Sequence, residues 1–174
     1  VRQDVVRYYA QCLAQHGHTL TPDHLVGATS VYVADSREQA AREAGPSWLY
    51  FTNTLFGHGS IRDPVEARRR GYLSDAAYDY MRPEVREAYL RSRQTTRTVT
   101  LDDVLQGNRL PWGNPDEVRD ALIRRADMDG TNIMLLTMNT GGLPHKLFMR
   151  NLKRFGEEVL PELKEHQVAL APVA

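Results

Sequence analysis

The residues best placed for chemistry in this 174-residue chain stand near its carboxyl end. There the apolar run Thr131-Asn132-Ile133-Met134-Leu135-Leu136-Thr137-Met138 enters the turn Asn139-Thr140-Gly141-Gly142-Leu143-Pro144. Adjacent glycines permit positive φ and let a ligand approach the main chain closely. The alternative is a plain turn into the next helix. His58, between Gly57 and Gly59 and after the aromatic residues Trp48, Tyr50, Phe51 and Phe56, titrates near neutral pH and could move a proton as a catalytic group. An ordinary loop histidine is the commoner reading of that position. Gly57-His58-Gly59 lacks the strand-glycine-helix order of a phosphate loop. His16, His18 and His24 fit neither a helical i, i+4 pair nor a zinc spacing, so no metal is expected. Asp35 reads as part of a helix start, and the pairs Asp102-Asp103 and Glu157-Glu158 fall on helix surfaces. No serine elbow with histidine and aspartate partners is present, which leaves hydrolase chemistry without support.

The elements that must hold these residues follow from periodicity. A helix from the amino terminus, with Val5, Val6, Tyr9 and Leu13 on one face, should end near Gln15 with Gly17 as its stop. Residues 26–34 read as a buried strand, after which Ser36 and Gln39 can form a capping box. Helical pattern runs through Ala40, Ala41 and Ala44, meets Gly45-Pro46, where a kink or break between two helices is expected, and resumes to Leu55. Residues 60–112 show no clear strand, with short helices expected near 64–70, 83–93 and 101–106. Asn114-Pro115-Asp116-Glu117 is a strong helix start, and Gly130 should close that helix. Residues 131–138 form a second buried strand, and Phe148, Leu152, Phe155, Val159 and Leu160 mark an amphipathic helix before Pro161. Strands separated by helices imply a parallel α/β fold, in which ligands sit beside the carboxyl ends of strands. That places the turn at 139–142 at the active end. The strands at 26–34 and 131–138 are expected to be parallel neighbours.

Twenty-two basic residues balance 22 acidic ones, which gives no electrostatic footprint for nucleic acid or an anionic membrane. The run Arg68-Arg69-Arg70 reads as a solvated helix face. Cys12 is the single cysteine, so an intramolecular disulfide and a cysteine zinc cluster are both excluded. No apolar run approaches the ~20 residues of a membrane span, and no leader pattern is visible. The expectation is a cytoplasmic protein. Val1 in place of an initiator methionine, with helical pattern from the outset, suggests the latter part of a longer polypeptide.

Several stretches together carry a resemblance. Val31-Tyr32-Val33-Ala34-Asp35-Ser36, Gly113-Asn114-Pro115-Asp116-Glu117-Val118, Gly142-Leu143-Pro144-His145 and Arg150-Asn151-Leu152-Lys153-Arg154-Phe155-Gly156-Glu157-Glu158-Val159-Leu160-Pro161 occur in the order found in bacterial luciferase-like flavin-dependent monooxygenases. The chain resembles the carboxyl-terminal portion of that family. The resemblance implies the last part of a (β/α)8 TIM barrel, with few strands, a helical insertion before the last strand and the amino-terminal strands absent. It further implies reduced FMN, or in one branch F420, bound at the carboxyl ends of the strands, with Asn139, Thr140, Gly141 and Gly142 lining the cofactor. Most flavin phosphate contacts of the family come from segments earlier than these. A small apolar substrate and O2, with a flavin reductase supplying reduced flavin, would complete the reaction, and a homo-oligomer is compatible. The rivals are an F420-dependent oxidoreductase on the same scaffold and a non-catalytic α/β remnant that binds a partner chain.

Overall fold

A computed structural model describes residues 2–56, 81–94, 99–107 and 110–168. They divide into two compact units, the first holding α1 (Arg2–Gln15) and α3 (Pro83–Gln94) and the second every described strand. In the first unit, α1 (Arg2–Gln15) ends as the sequence predicts: Gly17 takes φ 77°, and the amide of His18 donates to the Leu13 carbonyl at 2.9 Å. The Asp4 carboxylate, buried on α1, accepts from Arg7 at 3.1 Å and from Arg82 at 3.0 Å, just ahead of α3 (Pro83–Gln94).

The second unit orders its elements as β1 (Val26–Ser30), β2 (Tyr32–Val33), α2 (Arg37–Tyr50), α4 (Leu101–Gly107), β3 (Trp112–Gly113), α5 (Pro115–Asp129), β4 (Ile133–Thr137), α6 (His145–Arg154) and α7 (Leu160–Leu163). β1 pairs with β4 in parallel, Val26 against Ile133 through Ser30 against Thr137, so the two expected neighbours are adjacent and parallel. The single strand expected over 26–34 is instead two segments with different partners, because β2 pairs with β3, Tyr32 against Trp112. β3 itself is two residues long, too short for alternation to reveal. The described residues thus form four strands in two small parallel sheets and close no barrel.

The peptide directions explain the split. The Val31 amide donates to Thr137 of β4, whereas the amides of Tyr32 and Ala34 donate to Pro111 and Gly113 beside β2. Successive amides of an extended chain point to opposite edges. Residues 26–34 therefore lie between β4 and β3, and the chain passes from the middle run to one side and then across to the other. In a barrel of consecutive neighbours β4 would lie beside β3.

Side-chain alternation sorts the two faces. Tyr32 and Ala34 pack with Ala40 and Ala44 of α2, Val104 of α4, Trp112 and Leu143. Val31 and Val33 pack oppositely with Val118 and Leu122 of α5 and with Phe155 and Val159. Two crossovers of the same hand that run in opposite directions must pass over opposite faces, as α2 and α5 do here. The strands are less buried than expected: on the α2 face Val26, Ile133 and Leu135 are 56%, 45% and 64% exposed.

Local signals decide the helices. Asn114 accepts from the Glu117 amide at 2.9 Å while Glu117 accepts from the Asn114 amide at 2.9 Å, a complete capping box, and Gly130 closes α5 at φ 64°. Ser36 caps α2 by accepting from the Gln39 amide at 3.2 Å, but Gln39 Oε1 accepts from the amide of Asp35, not that of Ser36. Of the kink or break expected at Gly45-Pro46, the break does not occur. Pro46 is exposed, so the carbonyl it leaves unbonded lies on the solvent side, while Ala40, Ala41, Ala44 and Ser47 hold the buried side of a continuous helix. The helix runs on as π-helical turns over Phe51–Phe56. Gly45 admits α4, since a Cβ there would stand 2.7 Å from Leu101 Cδ1.

The last helix also departs from expectation. α6 passes into π-helical turns over Phe155–Val159, and Pro161 stands in the first turn of α7 instead of ending the run. The buried stripe passes through Asn151, Phe155 and Val159, leaving Leu152 exposed.

Candidate functional site

The turn at 139–142 leaves the carboxyl end of β4 beside the carboxyl end of β2. Strand order reverses between these two runs, and open α/β sheets bind ligands in the crevice outside such a reversal. Gly141 and Gly142 take φ of 78° and 75°, conformations that side chains with a Cβ rarely adopt. The Gly141 amide donates to Asn139 Oδ1 at 3.0 Å, which bends the chain locally. A Cβ at Gly141 would meet nothing within 4 Å, and one at Gly142 would meet only Ser47 Cβ at 3.9 Å. Asn139, Gly141 and Gly142 face solvent.

Thr140 behaves differently from its neighbours. It is buried, and its hydroxyl lies 3.4 Å from that of Ser47, which donates onward to the Ala44 carbonyl at 3.1 Å. With Leu143 in the core, Thr140 ties the turn to α2 and leaves three of the four predicted residues open to a ligand. α6 then begins at Pro144 with no side-chain cap.

Sequence reasoning missed the groups that build the floor of this end. Asn151 of α6 is fully buried; its Oδ1 accepts from the Val33 amide at 2.8 Å, and its Nδ2 donates to the Val31 carbonyl at 3.2 Å. Its amide thus continues the ladder after β4 has turned away. An asparagine at the spacing of Phe148, Phe155 and Val159 was the available signal.

Nearby, Glu43 of α2 accepts from the Tyr32 hydroxyl at 2.8 Å, from Gln39 at 3.0 Å and from Arg150. Burial pushes the Glu43 carboxyl upward, but the guanidinium of Arg150 and the bonds from Gln39 and Tyr32 outweigh it and hold the carboxyl below the usual range. Burial, reinforced by the bond to Glu43, raises the Tyr32 phenol to about 12, so it stays a neutral donor.

Several of the remaining sequence candidates have structural partners. Asp35 pairs with Arg154 at 2.9 Å, and Arg154 also holds Glu158 at 2.9 Å. Asp103 accepts from the Thr100 amide at 2.9 Å, as a cap. His24 accepts from the Thr21 amide at 3.0 Å in its own short turn. His58, the predicted proton-handling group, lies outside the described residues. No described helix is long and apolar enough to cross a membrane.

An α/β unit with an open double-glycine turn at its strand reversal offers a place for a ligand. A family model described as luciferase-like monooxygenase matches residues 2–131, three quarters of the sequence, and the chain belongs to that flavin-dependent monooxygenase family. None of the curated proteins compared matches it. The matched span ends at the start of the last strand run, so the turn at 139–142 and α6 follow it.

Proposed function

We propose that this chain serves a monooxygenase reaction in which reduced FMN and O2 oxygenate a small apolar substrate, the flavin ring edge lying against Asn139, Gly141, Gly142 and the main chain of Thr140. Bound reduced flavin would supply the oxygen activation, and a separate flavin reductase would supply the flavin. The open space at Gly141 carries this reading: a planar ring edge can reach main chain that any side chain would screen. Family membership supplies the cofactor class.

The chain's own contribution is positional. The Thr140–Ser47 contact fixes the turn against α2, and the buried Leu143 removes water from beneath it. Neither supplies a catalytic acid or base, which suits chemistry carried by a cofactor.

Titration with FMN to ~1 mM, a range that detects weak complexes, should shift the amide resonances of Asn139, Gly141 and Gly142. Gly142→Val should remove those shifts, while Gly130→Ala, equally strained at the other end of the sheet, should keep them. Shifts mapping elsewhere would remove the turn as the site. Reduction of F420 by candidate substrates, with no oxygen uptake in the presence of reduced FMN, would replace FMN with F420.

A further inference from the structure

The core on the α5 face is open at one end. Leu122 of α5 is buried with Val118, Phe155 and Val159, but Met134, Leu136 and Leu163 pack against that cluster only half-buried. Between α5, β4 and α7 they leave a cavity of about 110 Å³, walled by Leu122, Ala126, Met134, Leu136 and Leu163. Its mouth lies at Thr131 and Asn132, so the length of β4, ~17 Å, separates it from the turn at 139–142. The segment after α7 straps that mouth: the Val168 amide donates to Asn132 Oδ1 at 3.0 Å, and His166 Nε2 lies 2.8 Å from Asp127 Oδ1. The other polar groups at the rim are committed too. The Thr131 hydroxyl bonds to the Leu25 carbonyl, and Asn132 Nδ2 donates to Asp23 at 3.2 Å. Among the described residues no carboxylate, ammonium or guanidinium group lines the cavity.

We propose that this cavity binds a small, uncharged, apolar molecule of about benzene size, at a site separate from the turn. Water held in such a space needs ~2–4 polar partners, and a wall of leucine, alanine and methionine offers none. An apolar cavity of ~150 Å³, the same scale as this one, stays dry and takes up benzene. A charged ligand is excluded, because no lining side chain could pair with it and a buried unpaired charge is strongly disfavoured. Met134 lets the wall adapt: an unbranched thioether fills irregular space, and its sulfur makes favourable contacts with aromatic rings. That sulfur lies over Gly27 of β1, where a Cβ would stand 2.6 Å from Met134 Sδ. Entry needs only the strap to part, and the bonds that hold it to Asp127 and Asn132 lie near the surface.

Methyl spectra of the whole chain, titrated with benzene to ~10 mM, test the site, since an apolar ligand of ~6 heavy atoms belongs in the ~mM range. The methyl resonances of Leu122, Met134, Leu136 and Leu163 should shift and saturate together, while the amides of Gly141 and Gly142 stay in place. Phenol, which must bury a hydroxyl without a free partner, should bind at least ~10-fold more weakly. Ala126→Leu and the bulkier Ala126→Phe fill the space, and whichever keeps the cooperative melt of the wild type should no longer show saturation. Shifts that never saturate, saturation mapped to other residues, phenol binding as tightly as benzene, or benzene binding undiminished in a folded Ala126 variant would overturn the proposal.

Discussion

Asn151 shows how one side chain can stand in for a strand. β4 leaves the ladder at Thr137, and the next amide of the middle run, that of Val33, would face an apolar interior without a partner. A primary amide offers one acceptor and two donors in a plane, so it can satisfy both Val33 and Val31. Asn151→Ala would leave a buried N–H and a buried C=O unbonded, at roughly 1–3 kcal/mol each. The total, ~2–6 kcal/mol, is a large share of a domain's stability. Urea unfolding should show the midpoint falling by ~1 M or more at an ordinary slope. A loss under ~0.5 kcal/mol would mean that water or a shifted main chain takes over both bonds. The cost arises where the turn begins, so this polar residue on an apolar stripe positions the candidate site without touching a ligand.

Between elements, the Glu43 cluster fastens α2 to α6 and to β2, and it makes that attachment sensitive to acid. The folded carboxyl titrates below its ordinary 4.5, so in acid the unfolded chain binds the proton first. Its contribution to stability is complete above 4.5 and is lost as pH falls through the lower folded value. Glu43→Gln can still accept from Tyr32 but cannot pair with Arg150. Its unfolding free energy, measured by urea at a series of pH values, should fall less steeply than wild type below pH 4.5. Equal slopes would show that another carboxylate carries the acid dependence. None of these cross-element contacts was legible in the sequence, because Glu43, Arg150 and Tyr32 meet only once α2 crosses the sheet. What was legible was the Asn114 cap, the Gly130 stop and the Ser36 cap, all local, together with the parallel pairing of two apolar runs that the strand–helix order implies. The reading failed where burial overrode a local rule, as at Pro46, which lies on a solvent face, and at Leu152, where the buried stripe runs through Asn151 instead.

At the scale of the whole molecule, family membership was legible because it rests on motif order, whereas strand order was not. A run bonded through both edges, with helices on both faces, depends on partners far apart in sequence. This arrangement bears directly on how well the 174-residue chain can hold flavin. The turn offers main chain and small residues for a ring edge, but the α6 guanidinium groups beneath it are already engaged, Arg150 by Glu43 and Arg154 by Asp35 and Glu158. Charge-assisted bonds to a phosphate contribute ~1.5–3 kcal/mol each. Lacking two of them lowers affinity by roughly two to four powers of ten at ~1.4 kcal/mol per decade. Quenching of FMN fluorescence should accordingly show no saturation at ~10 µM chain, a concentration that would saturate a sub-micromolar site. Riboflavin, which lacks the phosphate, should bind about as weakly as FMN. Tight one-to-one binding of FMN but not of riboflavin would place a phosphate site within these residues. The first place to seek it would be the uncapped start of α6, where His145 and Lys146 follow Pro144.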